Sequence, residues 1–394
     1  MLTGSILGAV AIAALLLWSG PVRSSITWRA MTTPLASIIG SGFLVLGPIL
    51  MAQFGWLAPM VMAVLCTTAY LFGAAIRHNM RRIEAGETLP IGLEAASSWA
   101  LSFAYIVSVA YYLNLFGAFG VSLTAFDSDL GARLLTSAVY LVILSVGWTR
   151  GFASLERMEY ISVTIKLAVI AGLLVALSAF FWGKANAGAL VVLPIELSGW
   201  AAITLGFGLI VTVQGFETSR YLGESYDTGT RVKSMKWAQW LSAAIYMIYI
   251  ALLAYVFHPQ DLYFSETAIV DMMGAVAPIL PVLLVVAALA AQFSAAVADT
   301  SGSGGLMSEL SAKQITPRMG YLLLTVIGLV LTWGADVFQI ISYASRAFAV
   351  YYALQAAIAA ISAGRQGAGP RSIGFGVLAA LGFAIAVFGH AIEA

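Results

Sequence analysis

Apolar runs of about 20 residues recur from Met1 to the end of the chain, and each is long enough to cross a hydrocarbon core of about 30 Å as a helix. No other feature constrains the fold as strongly. The chain is 61% hydrophobic and only 9% charged, against about 25% charge in an ordinary soluble domain. It therefore reads as all-α membrane protein throughout, with no soluble domain.

Spans are expected near 2–20, 34–54, 56–77, 98–124, 131–149, 158–182, 198–226, 237–257, 278–309, 317–334, 337–363 and 371–390. If these alternate across the membrane, one set of loops holds Arg23, Arg29, Arg77, Arg81, Arg82, Arg150, Arg157, Arg220, Arg231, Lys233, Lys236, Lys313, Arg318, Arg365 and Arg371. The other holds Arg133 and Lys184. That is 15 against 2 of the 19 basic residues, and cytoplasmic loops are the basic ones. Both termini are then expected outside, in a bacterial-type inner (plasma) membrane. No Lys or Arg precedes the first apolar run, whereas Arg23 and Arg29 follow it, so that run reads as a retained helix and not as a signal peptide.

Several functions find no support. A net charge of +1 leaves no basic surface for nucleic acid, and one cysteine, Cys66, supports neither a disulfide scaffold nor a zinc cluster. His78, His258 and His390 lie far apart in loops or span ends, and no Ser-His-Asp, HExxH or P-loop pattern occurs. No enzyme activity, cofactor or metal is expected.

Two spans should break. Ile39-Gly40-Ser41-Gly42-Phe43, followed by Gly47-Pro48, puts glycines around a serine at mid-membrane. Glycine costs about 1 kcal/mol against alanine in a helix interior, and its bare backbone can turn toward a ligand. The seventh span carries Gly206-Phe207-Gly208 and then Gln214-Gly215-Phe216-Glu217-Thr218 at comparable depth, 175 residues on from Gly40 to Gly215. Paired interrupted helices mark the substrate site of inverted-repeat transporters. The alternative is that these glycines only let helices pack closely.

The same residues resemble the amino acid–polyamine–organocation (APC) superfamily of transporters, over about Thr33 to Ser362. Ile38 to Phe43 with Gly47-Pro48 is similar to that family's first core helix, and Gly215-Phe216-Glu217 with Glu224, Asp227 and Arg231 to its sixth. Ile165-Lys166-Leu167 resembles the fifth core helix, and Ser301-Gly302-Ser303-Gly304-Gly305-Leu306 the eighth. The resemblance implies a LeuT-like fold of five helices plus five in inverted repeat. An extra helix would occupy 1–30, the repeats 31–185 and 186–364, and a last helix 365–394. It also implies a G-S-G-type break that receives the substrate carboxylate.

Two cations fall inside spans. Lys166 sits about nine residues from the cytoplasmic end of its span, roughly 14 Å deep, and Asp299 lies at nearly the same depth. A charge at that depth needs a partner. Lys166 is expected to face Asp299, with Thr300 and Ser301 as hydroxyl partners, where sodium-driven relatives hold an ion. The resemblance implies that such a lysine gains and loses the coupling proton. A permanent ion pair that only fixes packing, and a sodium site built from Asp299, Thr300 and Ser301, are the alternatives. Arg346 follows Lys166 by 180 residues and is expected to bond to Asn114, to Tyr111 or Tyr112, or to Glu217, either as a gate on the outer side or as a satisfied packing residue.

The expected function is secondary transport of a small organic solute, an amino acid in the first reading, by alternating access with proton coupling. The substrate carboxylate would lie on the amides of Ser41, Gly42 and Phe43, with Ile39 and Gly40 beside it, and the ammonium on carbonyls from Val213 through Gln214 and Gly215 to Phe216. Phe216 would cover the substrate, Tyr111 or Tyr112 would wall it, and Glu217 would bias its charge. Sodium coupling with an amine or polyamine as substrate, a solute sensor and a channel remain as other readings.

Overall fold

The computed structural model describes residues 2–40, 42–149, 158–223, 225–261 and 265–391. Ser41, Arg150, Arg157 and Glu224, all used above, lie outside the described residues. The described residues form helices and no strand. Apart from a five-residue helix at Gly20–Ser24 and short 3-10 turns, these are in chain order α1 (Leu2–Trp18), α2 (Ile26–Ile38), α3 (Gly42–Phe54), α4 (Ala58–Glu84), α5 (Ile91–Val121), α6 (Asp129–Thr149) and α7 (Met158–Asn186). They continue as α8 (Gly199–Gly208), α9 (Thr228–Leu253), α10 (Ala268–Val276), α11 (Leu280–Leu310), α12 (Pro317–Gly334), α13 (Val337–Arg365) and α14 (Gly369–Phe388).

Eight stretches among the described residues are long and apolar enough to cross a membrane; with α2 and α3 taken as one interrupted crossing, and α8 with the turns after it as another, the order of helices fits the twelve spans expected. The short α10, between α9 and α11, lies in a stretch where the sequence predicts no span. It is amphipathic and too short to span.

The bundle is apolar both in its core and on its perimeter. Large apolar side chains such as Leu16, Val64, Val142, Val330 and Val377 are more than half exposed and form the perimeter, while Asn79, Glu217, Gln292 and Ser303 are fully buried. Lipid solvates the first set at no cost, and the second set needs partners inside the protein. α5 packs against both α11 and α13 and forms the spine of the interior.

One end of the bundle is ionic. Arg220 pairs with Glu94, and Arg82 Nε lies 2.7 Å from Glu87. The hydrogen bond from Arg82 holds the Glu87 carboxyl below the usual carboxylate range. Asp227 accepts from the Thr230 amide at 2.9 Å and so caps the start of α9.

The terminal helices dock on the outside. α1 lies along α7, where Tyr160 Oη donates to Leu17 O at 2.6 Å. α14 lies along α13, and its end is strapped down by three bonds: Arg346 Nε to Ala386 O (2.8 Å), Ser342 Oγ to Gly389 O (3.3 Å) and His390 N to Thr204 O (3.1 Å). Gly382 brings the two backbones close, since a Cβ there would lie 3.0 Å from Ala353 Cα.

Gly382→Ala is therefore expected to cost about 1–3 kcal/mol, the usual penalty of overpacking. Gly376→Ala, which meets nothing within 4 Å, should stay within about 0.5 kcal/mol of wild type. Thermal unfolding of the two variants in detergent checks the contrast.

Candidate functional site

The two interrupted crossings meet at the centre. α2 ends at Ile38, Ile39 leaves the helix with φ −87° and ψ 62°, and α3 begins at Gly42. Opposite, α8 ends at Gly208 and the chain goes on as 3-10 turns over Ile210–Val213 and Phe216–Tyr221. Between them Gln214 is extended and Gly215 has φ +115°, a conformation that glycine adopts without strain. The segment beyond the second break is thus tighter than the α-helix read from the sequence.

Glycines let the breaks touch. A Cβ on Gly215 would collide with the Ser37 side chain and lie 2.7 Å from Ile38 N; one on Gly42 would lie 2.6 Å from Tyr111 Oη and 3.1 Å from Thr212 Cα. Gly40 meets Tyr112 at an ordinary 3.6 Å. The first two glycines are obligatory for the crossing, and the third is not.

Breaking a helix in lipid strands backbone groups, and side chains take them up. Tyr246 Oη on α9 lies 3.0 Å from Ile38 O and 2.6 Å from Thr212 O, so one hydroxyl serves both breaks. Ser345 Oγ on α13 donates to Gly208 O at 2.6 Å and accepts from Val211 N at 3.0 Å. The amide of Gly215 donates to Glu217 Oε2 at 3.0 Å, and Tyr352 Oη donates to the same oxygen at 2.8 Å. Lys166 Nζ donates to Ala36 O, near the end of α2, at 2.7 Å.

The expected substrate residues gather here. Ile39, Gly40, Gly42, Phe43, Tyr111, Tyr112, Val213, Gln214, Gly215, Phe216 and Glu217 are all buried around the crossing. Gln214 Nε2 donates to Tyr112 Oη at 3.2 Å, and Phe43 packs on Tyr249 with ring centroids 4.3 Å apart. Gln214 Oε1 and Glu217 Oε1 are buried and have no hydrogen-bond partner among the described residues. The centre is closed: a cavity of about 20 Å³ lies between Gly40, Phe43 and Lys166, far below the roughly 300–1,000 Å³ of a ligand pocket.

A family model described as APC superfamily transporter matches residues 20–389. The chain belongs to the APC superfamily. An uncharacterized protein of Aquifex aeolicus (strain VF5) is 42% identical to the transporter over 342 residues, 84% of this chain and 83% of its own. Among solved structures, a sodium-coupled sialic acid symporter superposes with TM-score 0.55 at 12% identity, covering 100% of this chain and 98% of its own. A nucleobase-cation-symport-1 family transporter with bromovinylhydantoin bound gives 0.54 at 14% identity, covering 91% of each chain. A manganese transporter of Eremococcus coleocola gives 0.53 at 14% identity, covering 92% and 85%. At such identities these structures establish the LeuT-like fold, and with the family they make the protein a multi-pass transporter and not an enzyme.

The structure corrects two expected pairings in the transporter. Lys166 and Asp299 form no ion pair: Lys166 turns to Ala36, while Asp299 accepts from Ser108 on α5. Thr300 Oγ1 donates within its own helix to Ala296 O at 2.6 Å, and Ser301 is half-buried beside it. Depth matched, but the side chains face different neighbours. Arg346 likewise meets neither Asn114, Tyr111, Tyr112 nor Glu217. It is exposed, reaches α14, and lines a groove of about 430 Å³ with Phe103, Val107 and Tyr343. Asn114 instead donates to Thr332 Oγ1 at 2.9 Å. The offset of 180 residues exceeds that of the breaks by five, which is about 140° around a helix; the arginine is therefore carried off the interior stripe.

Tyr246, Ser345 and Tyr352 escape the sequence reading. Hydroxyl side chains in apolar spans are their only signal, and most such residues merely bond their own helix. Tyr246→Phe is expected to leave the carbonyls of Ile38 and Thr212 short of a donor and to lower stability by about 1–3 kcal/mol, read as a lower unfolding temperature in detergent. Tyr249→Phe, which removes a hydroxyl that has no hydrogen-bond partner among the described residues, should not share that loss.

Proposed function

We propose that the transporter moves a small organic solute, an amino acid in the first instance, by alternating access, and that Lys166 couples it to the proton gradient. The observation that carries this reading is the bond from Lys166 to Ala36 O. The last carbonyls of α2 form the negative end of a half-helix dipole, so an ammonium held there stabilises that end. Asp299 does not lock the charge, and loss of the proton would weaken the hold on α2. The half-helix beside the substrate site would then be free to swing, and the proton would bias which face is open by the difference in its affinity for the two states.

In this reading the substrate carboxylate takes the first-turn amides of α3 at Gly42 and Phe43, and its ammonium takes the carbonyl side of Gln214 and Gly215, near Glu217. Tyr111, whose hydroxyl stands over Gly42, has to move aside. The repeats 31–185 and 186–364 supply one broken crossing each, and the ionic end of the bundle faces the cytoplasm, as the excess of basic residues supports. Sodium coupling draws support from the sodium-coupled symporter of like fold, with Asp299, Thr300 and Ser301 as oxygen ligands.

Uptake of labelled amino acids and amines into proteoliposomes under a proton gradient, a sodium gradient or none, by wild type and Lys166→Ala, separates these readings. Proton-driven uptake that falls at least tenfold in the variant is expected. Sodium-driven uptake that survives in the variant would overturn lysine coupling.

A further inference from the structure

One buried side chain near the site has no structural occupation. Gln292, midway along α11, is fully buried, and neither its Oε1 nor its Nε2 has a hydrogen-bond partner among the described residues. The other buried glutamines do find partners. Gln239 donates to Ala69 O at 2.8 Å and accepts from Arg77; Gln355 donates to Ser97 Oγ at 2.7 Å and accepts from Asn79 Nδ2 at 2.9 Å. Gln214 keeps one bond, to Tyr112. A carboxamide held dry with all its polar atoms unpaired costs free energy, and methionine would fill the same volume without that cost.

Its position gives it a use. Ala288, one turn before it on the same face of α11, lines the central cavity with Gly40, Phe43 and Lys166. Asp299, two turns after it on the same stripe, meets Ser108 of α5. The ring contact of Phe116 with Phe293, at 6.5 Å, sets the register of the antiparallel α5. Gln292 is thus level with Leu115 and one turn from Tyr112, the residue that holds Gln214. Two carboxamides with unspent polar atoms thus approach Tyr112, Gln214 through its hydrogen bond and Gln292 through the register of α11 on α5.

We propose that Gln292 reads the substrate, and that the substrate carries an uncharged group offering a hydrogen-bond donor and an acceptor side by side, as a carboxamide does. This rests on the crossing being the substrate site, but not on the substrate being an amino acid. A carboxamide returns both bonds that another carboxamide offers, and a carboxylate or an ammonium returns only one kind. An apolar side chain of equal size leaves Gln292 unpaired, and unpaired buried partners are what make hydrogen-bonding sites selective.

The test uses the full chain, wild type and Gln292→Met, with L-glutamine, L-asparagine and nicotinamide as carboxamide probes and L-leucine, L-methionine and L-glutamate as controls. Ligand-induced shift of the unfolding temperature and competition for uptake are read for each. Expected is a preference of wild type for one or more carboxamides that falls at least tenfold in Gln292→Met, while the ligand-free variant unfolds a few degrees higher. A preference for nicotinamide alone would retire the amino-acid reading and keep this one. Preference for the controls, an unchanged ranking in the variant, no response to any probe, or a variant less stable without ligand would each overturn the role of Gln292.

Discussion

The structure depends on one constraint: a helix broken inside lipid must have its stranded amides and carbonyls met by the protein itself. Two crossings break here, and the bundle is organised around repairing them. Tyr246 places α9 against both breaks, Ser345 places α13 against the first stranded groups after α8, and Lys166 ties α7 to the end of α2. Under the proposed function these are also the bonds that would have to exchange when the site opens. The bond from Lys166 to Ala36 is strengthened by the charge of the ammonium, whereas the hydroxyls of Tyr246 and Ser345 donate uncharged.

The close crossing explains why small residues gather where they do. Gly42 and Gly215 stand at the points of backbone contact, and Tyr111 fills the remaining space. The crossing is thus closely packed, and under the proposed function a substrate would have to displace Tyr111. The polar atoms left over, on Gln214, Glu217 and Gln292, are the unspent half of that arrangement.

The spans and breaks are legible in the sequence, because apolar length and mid-membrane glycine are local signals. Gly40 to Phe43 and Gln214 to Glu217 come together as those signals imply. What the sequence does not carry is rotation about a helix axis relative to a neighbour. Lys166 and Asp299 share a depth yet turn to different partners, and Arg346 follows Lys166 by a near-repeat yet faces outward, since a five-residue change in offset turns a side chain by about 140° around its helix. Gln292 is overlooked for a related reason: a lone glutamine in an apolar run is unremarkable until its surroundings show that nothing answers it.

The strapping of α14 carries a mechanical consequence. Its last residues are bonded to Thr204 within α8, and the backbone of His390 occupies the space beside Gly208, where α8 ends. Any swing of α8 about that point has to drag a twenty-residue helix sideways through lipid. If α8 moves during transport, the friction of the surrounding bilayer on α14 would oppose that motion, and its rate would fall as the membrane becomes more viscous.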